Sequence, residues 1–439
     1  MTGDIFTLHE RSCLCTSGEL DLFSLPPTSF ALEKSEYIEF FPVATTTPTS
    51  VLEFHVPSLG PHFYDLKSSF LHIQSKIVRA NGDPASTTAT DGTVTHDKVI
   101  PVQAFGSSLF QYLHLYLNQT LVSQYENYAY RSYLDILLHA NQTSRDHSLS
   151  AMLYEKDPVN TSEKLDIPAD AKGLMARFKR TEGSTLCDLF CPLMSDICQQ
   201  EKLLLNGVDI RIVLRQNTED FRLLAASTVP QKHVVQLPRI VLYIRRVQVA
   251  PTVRVGIKRR LQSSPATYLL RGVEIKTRTV SPGVSHIVLD DLYPHRVPSK
   301  LLVAFLKSEA FQGSREHDPF KLEHFNLKTA VLDVGGCQQT EQFDFPQDLY
   351  MKAYMSFQHR LNRRDVPYSK GAFSKDSFLL YYILTPDREE QSLCPISTAN
   401  VRLTLTFKQD LTKAITILFM SETPRVLEID KERNVKFAA

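Results

Sequence analysis

Short segments in which apolar and polar residues alternate recur along the whole chain, and this pattern constrains the fold more than any other feature. The clearest segments span residues 51–56, 70–78, 113–117, 208–214 and 401–407. Because successive side chains of a strand point to opposite faces, the alternation predicts half-buried strands of antiparallel sheets. No strand–helix alternation recurs, and the sequence contains neither a GxGxxG nor a GxxxxGK(S/T) loop. The pattern therefore predicts an all-β protein and argues against a nucleotide-binding α/β enzyme.

The order of the strand segments repeats at an offset of about half the chain. Residues 115–119 resemble 332–336, residues 206–212 resemble 399–405, and residues 238–244 resemble 414–419. The shared order predicts two similar all-β units of roughly 200 residues each, and eight-stranded antiparallel jelly rolls are a common solution at this size. We expect an extended N-terminal arm over residues 1–47, a first jelly roll over 48–255, and a second jelly roll with a C-terminal tail over 256–439.

Helices are expected to be few and short, and to lie in loops between strands. Residues 128–140 place Tyr130, Tyr133, Leu134, Leu137 and Leu138 on one face, which predicts an amphipathic helix. The first 47 residues contain several prolines and no sustained period, which indicates an arm laid along its own domain or along a neighbour.

The composition limits the classes of partner. The 439 residues include 49 Lys and Arg against 48 Asp and Glu, which gives a net charge of +1. Proteins that bind nucleic acid through bulk charge normally have a basic excess, so only a local basic patch is compatible with this balance. No apolar run reaches the roughly 18 residues that a membrane span needs. Residues 1–10 lack the basic and apolar regions of a secretory signal, so we expect a protein that is not secreted through a signal peptide and stays inside the cell, with nucleus and cytoplasm both left open.

The seven cysteines and 14 histidines form no recognisable metal or catalytic motif. Cys187, Cys191 and Cys198 have helix-face spacing, and two interpretations remain open for them: buried free thiols, or metal and redox chemistry. The histidines match neither the i, i+4 pair of zincins nor the HxH of cupins, and no GxSxG elbow occurs. We therefore expect no catalytic residue, no metal, no cofactor and no enzymatic activity.

Fragments along nearly the whole chain are similar to one protein family. The first half contributes Ser12-Cys13, Glu19-Leu20-Asp21-Leu22-Phe23, Pro26-Pro27-Thr28, Phe54, Tyr64-Asp65-Leu66, Leu109-Phe110, Leu117-Asn118, Leu121-Val122-Ser123, Tyr130-Arg131, Tyr154, Lys156-Asp157 and residues 203–209 (LLLNGVD). The second half contributes Ala310-Phe311, Gly313-Ser314, Pro319-Phe320, His324-Phe325-Asn326, Leu384-Thr385-Pro386-Asp387, Glu428-Ile429-Asp430 and Arg433-Asn434-Val435. In number and order these fragments resemble the double jelly-roll major capsid proteins of Maverick/Polinton elements and adintoviruses.

The resemblance implies a structural protein. Three copies of such a chain form a homotrimeric, pseudo-hexameric (hexon-like) capsomer, and capsomers tile the icosahedral shell of a virus or virus-like transposon. The implied partners are further copies of the chain, neighbouring capsomers, and penton or minor capsid proteins, and the implied location is the virion capsid, assembled inside the host cell. Asn118-Gln119, Gly335-Gly336 and the segment 291–300 depart from the usual family sequence. These departures lie in turns and bear on loop shape more than on fold.

Basic clusters near the join of the two halves and in the second half are candidate contact sites. They comprise Arg245, Arg246, Lys258, Arg259, Arg260, Arg360, Arg363 and Arg364. Their charge suits local contact with packaged double-stranded DNA or with acidic patches on neighbouring subunits. Ion pairing within the subunit, or a solvated loop, is the simpler interpretation, and both remain open.

The 17 tyrosines and 25 phenylalanines suit both β-cores and subunit interfaces. The segment 125–133 is the candidate for both functions, with Tyr125, Tyr128, Tyr130, Arg131 and Tyr133 as its contact residues. The alternative function is a carbohydrate- or peptide-binding tandem jelly-roll module without an assembly role, which would expose a sheet lined by aromatic side chains. A jelly-roll enzyme would instead need His and carboxylate side chains that converge in one barrel.

Overall fold

The regular structure of the chain consists mainly of antiparallel strands. The computed structural model describes residues 18–20, 22, 25, 28–43, 51–58, 60–88, 91, 93–155, 172–225, 229, 231–361, 369–385 and 397–438. The strands within these residues are β1 Leu32–Phe40, β2 Val51–Val56, β3 His62–Arg79, β4 Ser86–Thr88, β5 Val94–His96, β6 Val99–Pro101, β7 Phe110–Leu117, β8 Thr120–Tyr125, β9 Cys187–Pro192, β10 Ile210–Gln216, β11 Leu223–Ala225, β12 His233–Val249, β13 Ala266–Val280, β14 His286–Leu289, β15 Lys300–Lys307, β16 Leu327–Val334, β17 Cys337–Gln342, β18 Leu379–Ile383, β19 Val401–Phe407, β20 Ile415–Ile429 and β21 Val435–Phe437.

Helices are short and lie in the connections between strands, as the sequence predicts. Their bounds are α1 Phe105–Ser108, α2 Tyr128–His139, α3 Gln142–Ser144, α4 Lys172–Thr181, α5 Asp196–Gln199, α6 Glu219–Arg222, α7 Pro251–Leu261, α8 Ser308–Gln312, α9 Met351–Leu361 and α10 Lys370–Lys375. Single helical turns of other types lie at Gly18–Leu20, Arg145–Leu149, Ser150–Met152, Glu182–Ser184 and Phe345–Gln347.

Two principal sheets make up each half of the chain, and the order of their four main strands is the same in both halves. The short strand β21 pairs with β20 and adds a fifth strand to one sheet of the second half. The first half has the orders β1-β12-β3-β9 and β2-β10-β7-β8, and the second has β13-β20-β15-β18 and β14-β19-β16-β17. If the eight principal strands of each half are numbered in chain order, both halves read 1-8-3-6 and 2-7-4-5. This is the strand order of an eight-stranded antiparallel jelly roll. The chain is therefore a double jelly roll, and the predicted fold class is confirmed.

The three pairs of similar segments occupy equivalent places in the two rolls. Residues 115–119 and 332–336 each turn from the fourth principal strand into the fifth, while the other two pairs fall at the seventh and eighth strands. Both hairpin turns have two consecutive positive φ angles, 44° and 69° at Asn118 and Gln119, and 58° and 90° at Gly335 and Gly336. Paired positive φ angles are typical of tight hairpin turns that match the strand twist. The sequence departures at these turns therefore leave the turn conformation intact.

The cores of the two rolls are built from the alternating segments. Burial alternates along β2 and β19, whose bounds match the predicted segments 51–56 and 401–407. Inward side chains from both sheets of both rolls belong to one continuous hydrophobic cluster, which includes Phe54, Ile73, Leu302 and Leu403. The two rolls therefore share their apolar interior along the line where they meet.

The first roll begins earlier than predicted. Leu32–Phe40, which the prediction places in the N-terminal arm 1–47, forms strand β1 and pairs antiparallel with β12. The strand lacks a clear period because most of its side chains are exposed at the edge of the sheet. Of the rest of the predicted arm, residues 1–17, 21, 23, 24, 26, 27 and 44–47 lie outside the described residues. The predicted boundary at residue 255 falls within α7, which joins β12 to β13.

Candidate functional site

The tyrosine-rich segment that the sequence suggests as a subunit interface lies inside the folded chain. Tyr125, Tyr128, Tyr130, Arg131 and Tyr133 are each at most 4% exposed. The predicted helix is present as α2, but every residue from its start to its penultimate position is buried, so it is not a surface amphipathic helix. A subunit-interface function for these five residues stays a prediction, and their placement does not support it.

These side chains instead connect the two rolls. The Tyr130 ring centroid lies 5.5 Å from that of Phe311 and 5.6 Å from that of Phe320, and the Tyr133 ring lies 4.5 Å from Phe320. Phe311 and Phe320 both belong to the second roll, between β15 and β16. Aromatic pairs at such distances add about 0.5–1.5 kcal/mol each beyond the burial of their area. The segment therefore supplies an aromatic contact between the rolls within one chain.

A buried group of charges lies beside this aromatic contact. We call Arg131, Asp135, Asp196, Arg271 and Glu422 the junction ion cluster. Arg131 contacts Asp135 at 3.6 Å and Asp196 at 3.3 Å. Arg271, from the second roll, donates to Asp135 and lies 3.6 Å from the Glu422 carboxylate. Opposite charges from the two rolls thus pair with one another at the junction.

The charge balance of the cluster sets the pKa of its two aspartates. Burial opposes ionisation of Asp135, but the guanidiniums of Arg271 and Arg131 outweigh it and hold its pKa well below the ordinary value. Burial dominates at Asp196 and raises its pKa despite the nearby Arg131. The Asp196 carboxylate also accepts a hydrogen bond of 3.1 Å from the backbone amide of Val273 in the second roll. The ionised cluster therefore depends on both arginines and on both rolls.

Hydrogen bonds at a second place also join the rolls. The Tyr268 hydroxyl accepts from the amide of Leu205 at 3.0 Å and donates to the carbonyl of Leu203 at 3.1 Å. The Arg433 side chain donates to the carbonyl of Asn206 at 2.6 Å. Because these contacts accompany a shared core, the two rolls are held as one block.

Two of the predicted basic residues are paired on the first sheet. Arg245 contacts Asp65 at 2.8 Å, and Arg246 contacts Glu36 of strand β1. Hydrogen bonds from Lys34 and Arg246 lower the pKa of Glu36 to about 2. These two arginines therefore have acidic partners within the chain, as the simpler interpretation predicts.

Lys258, Arg259 and Arg260 differ, because they lie exposed in the last turn of α7. Their side chains make no ion pair or hydrogen bond with any residue that the structure describes. Cations at this end of a helix favour the helix dipole, which gives them a structural use as well. Among the described members of the predicted patch, they are nevertheless the ones whose charge is available to a partner. We call them the basic helix end.

The third basic cluster is only partly described. Arg360 lies 2.7 Å from Glu341, donates to the carbonyl of Tyr381 at 2.8 Å, and stacks over the Tyr382 ring at 5.1 Å. It therefore holds α9 on the second roll. Arg363 and Arg364 lie outside the described residues.

One exposed feature is absent from the sequence-based candidates. Tyr37, Phe70, Phe190 and Tyr243, one from each strand of the first sheet, form an aromatic cluster on its outer face. Phe70 is central, with ring centroids 3.9 Å from Phe190, 4.9 Å from Tyr243 and 5.6 Å from Tyr37. We call these four residues the outer aromatic patch. The alternation in β3 could have placed Phe70 on this face, but the residues join only through pairing of distant strands.

Of the two interpretations of Cys187, Cys191 and Cys198, the structure supports buried free thiols. Cys187, Cys191 and Cys198 are free and buried. Burial raises the pKa of the Cys198 thiol to about 12 and that of Cys191 further. Cys13 and Cys15 lie outside the described residues.

Within the described ranges, His, Cys, Asp and Glu side chains form no group of three or more suited to a metal ion. Among the helices described, none has the length and apolar character to cross a membrane.

We compared the sequence and the fold with those of known proteins. No protein-family model matches the sequence. An uncharacterized protein of Caenorhabditis elegans is 20% identical over 404 residues, which cover 87% of this chain and 92% of that protein.

Solved viral structures are similar over nearly the whole chain. That of the Sputnik virophage matches with a TM-score of 0.66 and 12% identity over 97% of this chain and 93% of that one. The PBCV-1 virus capsid matches with 0.59 and 11% over 95% and 99%, and the mavirus major capsid protein with 0.58 and 10% over 97% and 93%. These likenesses agree with the strand order in establishing a double jelly-roll fold.

Proposed function

We propose that the chain is a major capsid protein, a structural and non-enzymatic subunit of the kind found in Maverick/Polinton elements and adintoviruses. The observation that carries the proposal is the double jelly roll itself, in which two rolls of identical strand order are joined as one block. Similar folds in the mavirus major capsid protein and the PBCV-1 virus capsid support the same class of function. A similar chain in Caenorhabditis elegans is compatible with a virus-like element resident in an animal genome.

The block geometry suits a homotrimeric capsomer. Three two-roll chains around a threefold axis place six similar lobes in a ring, which gives a pseudo-hexameric tile for an icosahedral shell. Such a tile needs the two rolls of each chain to keep a fixed relation. The junction ion cluster and the aromatic contact at Tyr130 and Tyr133 supply that rigidity. Permanent interfaces of this type bury on the order of 2,000 Å² or more, so burial alone can stabilise a shell.

The remaining partners follow from the same assignment. Neighbouring capsomers and penton or minor capsid proteins would contact the tile edges in the virion capsid. Packaged double-stranded DNA would contact the basic helix end, since Lys258, Arg259 and Arg260 are exposed while Arg245 and Arg246 are paired within the chain. The net charge of +1 limits electrostatic repulsion between copies packed in one shell.

Size-exclusion chromatography with light scattering tests the assembly directly. The mass of one chain is 49.9 kDa, so we expect a species of about 150 kDa. Negative-stain microscopy of that species should show six-lobed tiles, and concentrated protein should form sheets or shells. A chain that stays monomeric at every concentration would contradict the proposal.

The outer aromatic patch favours one alternative, a carbohydrate- or peptide-binding tandem jelly-roll module without an assembly role. Exposed aromatic rings on a sheet face suit stacking against sugars or peptide side chains. Screening the chain against glycan and peptide arrays distinguishes this function. Binding by a monomeric chain, abolished when Phe190 is replaced, would favour the module over the capsid subunit.

A further inference from the structure

The two rolls differ in how the outer face of the first sheet is covered. In the second roll, Leu379, Leu380, Tyr381 and Tyr382 of β18 are all at most 4% exposed. Helix α9 lies against this strand, with the Phe357 ring centroid 6.1 Å from that of Tyr381. The first roll has the same sheet order, but no described residue packs over Phe190 in the way that Phe357 packs over Tyr381. The equivalent strand is β9, where Phe190 is 44% exposed.

The open face has the composition of a protein interface. The outer aromatic patch forms its centre, and Tyr37 of the patch is 52% exposed. Charged pairs surround this centre: Arg245 with Asp65 at 2.8 Å and Arg239 with Glu39 at 3.7 Å. An aromatic centre inside a polar rim is the usual anatomy of a contact between proteins.

The same chain exposes a second apolar surface on the other roll. Leu349, Met351 and Met355 are 62%, 44% and 41% exposed. Met351 and Met355 lie four residues apart in α9 and therefore share one face of the helix. We call these three residues the methionine face. Its two methionines lie on the side of α9 away from the buried residues Ala353 and Phe357, and the Phe357 ring lies against Tyr381 of β18.

We propose that the outer aromatic patch of one copy binds the methionine face of a second copy. This inference rests on the proposed function, because a closed ring of three copies requires two different surfaces of the chain to meet. Both surfaces remain exposed after the chain has folded, so neither covers the other within one copy. Thioether sulfurs make favourable contacts with aromatic rings, and flexible methionines adapt to an irregular surface.

Charges beside the two surfaces are complementary. Asp188, next but one to Phe190 on β9, has a side chain that is 65% exposed and contacts His72 at 2.6 Å. Lys352, beside Met351 and Met355, is exposed and makes no ion pair with a described residue. Opposed in the contact, the carboxylate and the ammonium would fix the register of the two copies. A second copy of the chain therefore offers a surface that fits the patch in apolar character and in charge.

Charge substitutions at the two surfaces test this contact. We expect Phe190→Lys or Met355→Glu each to weaken self-association by about thirty-fold or more, because each buries an unpaired charge in the interface. The double variant, in which the new charges face each other, should recover about tenfold or more of that loss. Val288→Glu is the matched control, since Val288 is 46% exposed on β14 and belongs to neither surface. Circular dichroism checks that all variants keep their strand content.

Cross-linking between copies provides the second measurement. Phe190→Cys protein is mixed with Met355→Cys protein and oxidised, and a covalent dimer should form in the mixture but in neither variant alone. If wild type and both charge variants share one oligomeric state, and no mixture-specific dimer forms, the inference is wrong although the proposed function stands. That result would also be obtained if the patch bound a segment of its own chain. A wild-type chain that stays monomeric would contradict the proposed function and this inference together.

Discussion

Replacing Arg131 with methionine tests whether the junction ion cluster holds the two rolls together. The Arg131 side chain is fully buried and contacts Asp135 and Asp196, at 3.6 and 3.3 Å. Arg131→Met keeps most of the volume but removes the cation nearest to Asp196. Asp135 retains Arg271, whereas Asp196 keeps only hydrogen-bond donors. Removing one partner of a buried ion pair costs about 3–5 kcal/mol, because the remaining charge is left uncompensated.

This cost predicts a measurable change in thermal stability. The unfolding entropy of 439 residues is about 0.9 kcal/mol per kelvin if the chain unfolds as one unit, so Tm should fall by roughly 3–5 °C at pH 7. The chain has 17 tyrosines and no tryptophan, so far-ultraviolet circular dichroism and tyrosine fluorescence are the suitable probes. Arg245→Met is the control, because its pair with Asp65 lies near the surface and is worth at most about 1 kcal/mol.

The pH dependence distinguishes lost charge compensation from lost packing. Burial raises the pKa of Asp196 in the folded chain, and loss of Arg131 raises it further. Between the unfolded value near 3.9 and the raised folded value, the native state binds more protons than the unfolded state, so stability falls as pH rises through that window. The loss of stability caused by Arg131→Met should therefore be largest at pH 7 and smaller at pH 5. A Tm shift no larger than that of Arg245→Met, or a deficit that grows on acidification, would refute this reasoning.

Three further outcomes can be measured on the same protein. Replacing Lys258, Arg259 and Arg260 with alanine should weaken binding to double-stranded DNA and reduce its log–log salt slope by about two to three, while Arg245→Ala, the control, leaves both nearly unchanged. Tyr268→Phe should lower the unfolding free energy by about 1–3 kcal/mol in urea titrations, because the hydroxyl that bridges two backbone groups of the first roll is lost. Gly272→Ala should cost about 1–3 kcal/mol in the same assay, since a Cβ would lie 2.7 Å from a backbone carbonyl oxygen of β20; an unchanged midpoint would show that the sheet relaxes.

Several strands and the tandem jelly-roll class were predictable from the sequence, because half-buried strands keep a period of two. Segments 51–56 and 401–407 match β2 and β19, and repetition of the segment order indicates the second roll. Strands with both faces buried gave no such signal. Leu301–Leu306 of β15 and Leu379–Tyr382 of β18 are buried throughout, so apolar residues follow one another there without alternating with polar ones. The edge strand β1 was not predicted for the opposite reason, because most of its side chains are exposed and no buried face gives a period of two.

The junction could not be predicted from local patterns. Arg131 and Asp135 lie four residues apart on α2, which in a sequence is typical of a solvent-facing ion pair. Their burial depends on Arg271 and Glu422, more than 130 residues away, whose approach follows from the docking of the second roll. The helix was thus predicted correctly, while its surroundings were not. The outer aromatic patch escaped prediction for the same reason, because its four residues come from four strands spread between Tyr37 and Tyr243.

The difference between the two rolls has a consequence for how copies associate. If both rolls exposed an aromatic face, the face of one copy could pair with the same face of another, and a twofold dimer would satisfy both. In this chain, α9 lies against β18 of the second roll and presents two exposed methionines on its other side. The patch and its proposed counter-surface lie on separate rolls. Under the proposed contact, association between copies would be head-to-tail and would end only when a ring closes. A flexible junction would let rings of different sizes close. A ring of fixed size under the proposed contact therefore requires both a rigid junction at Arg131 and two different outer faces on the two rolls.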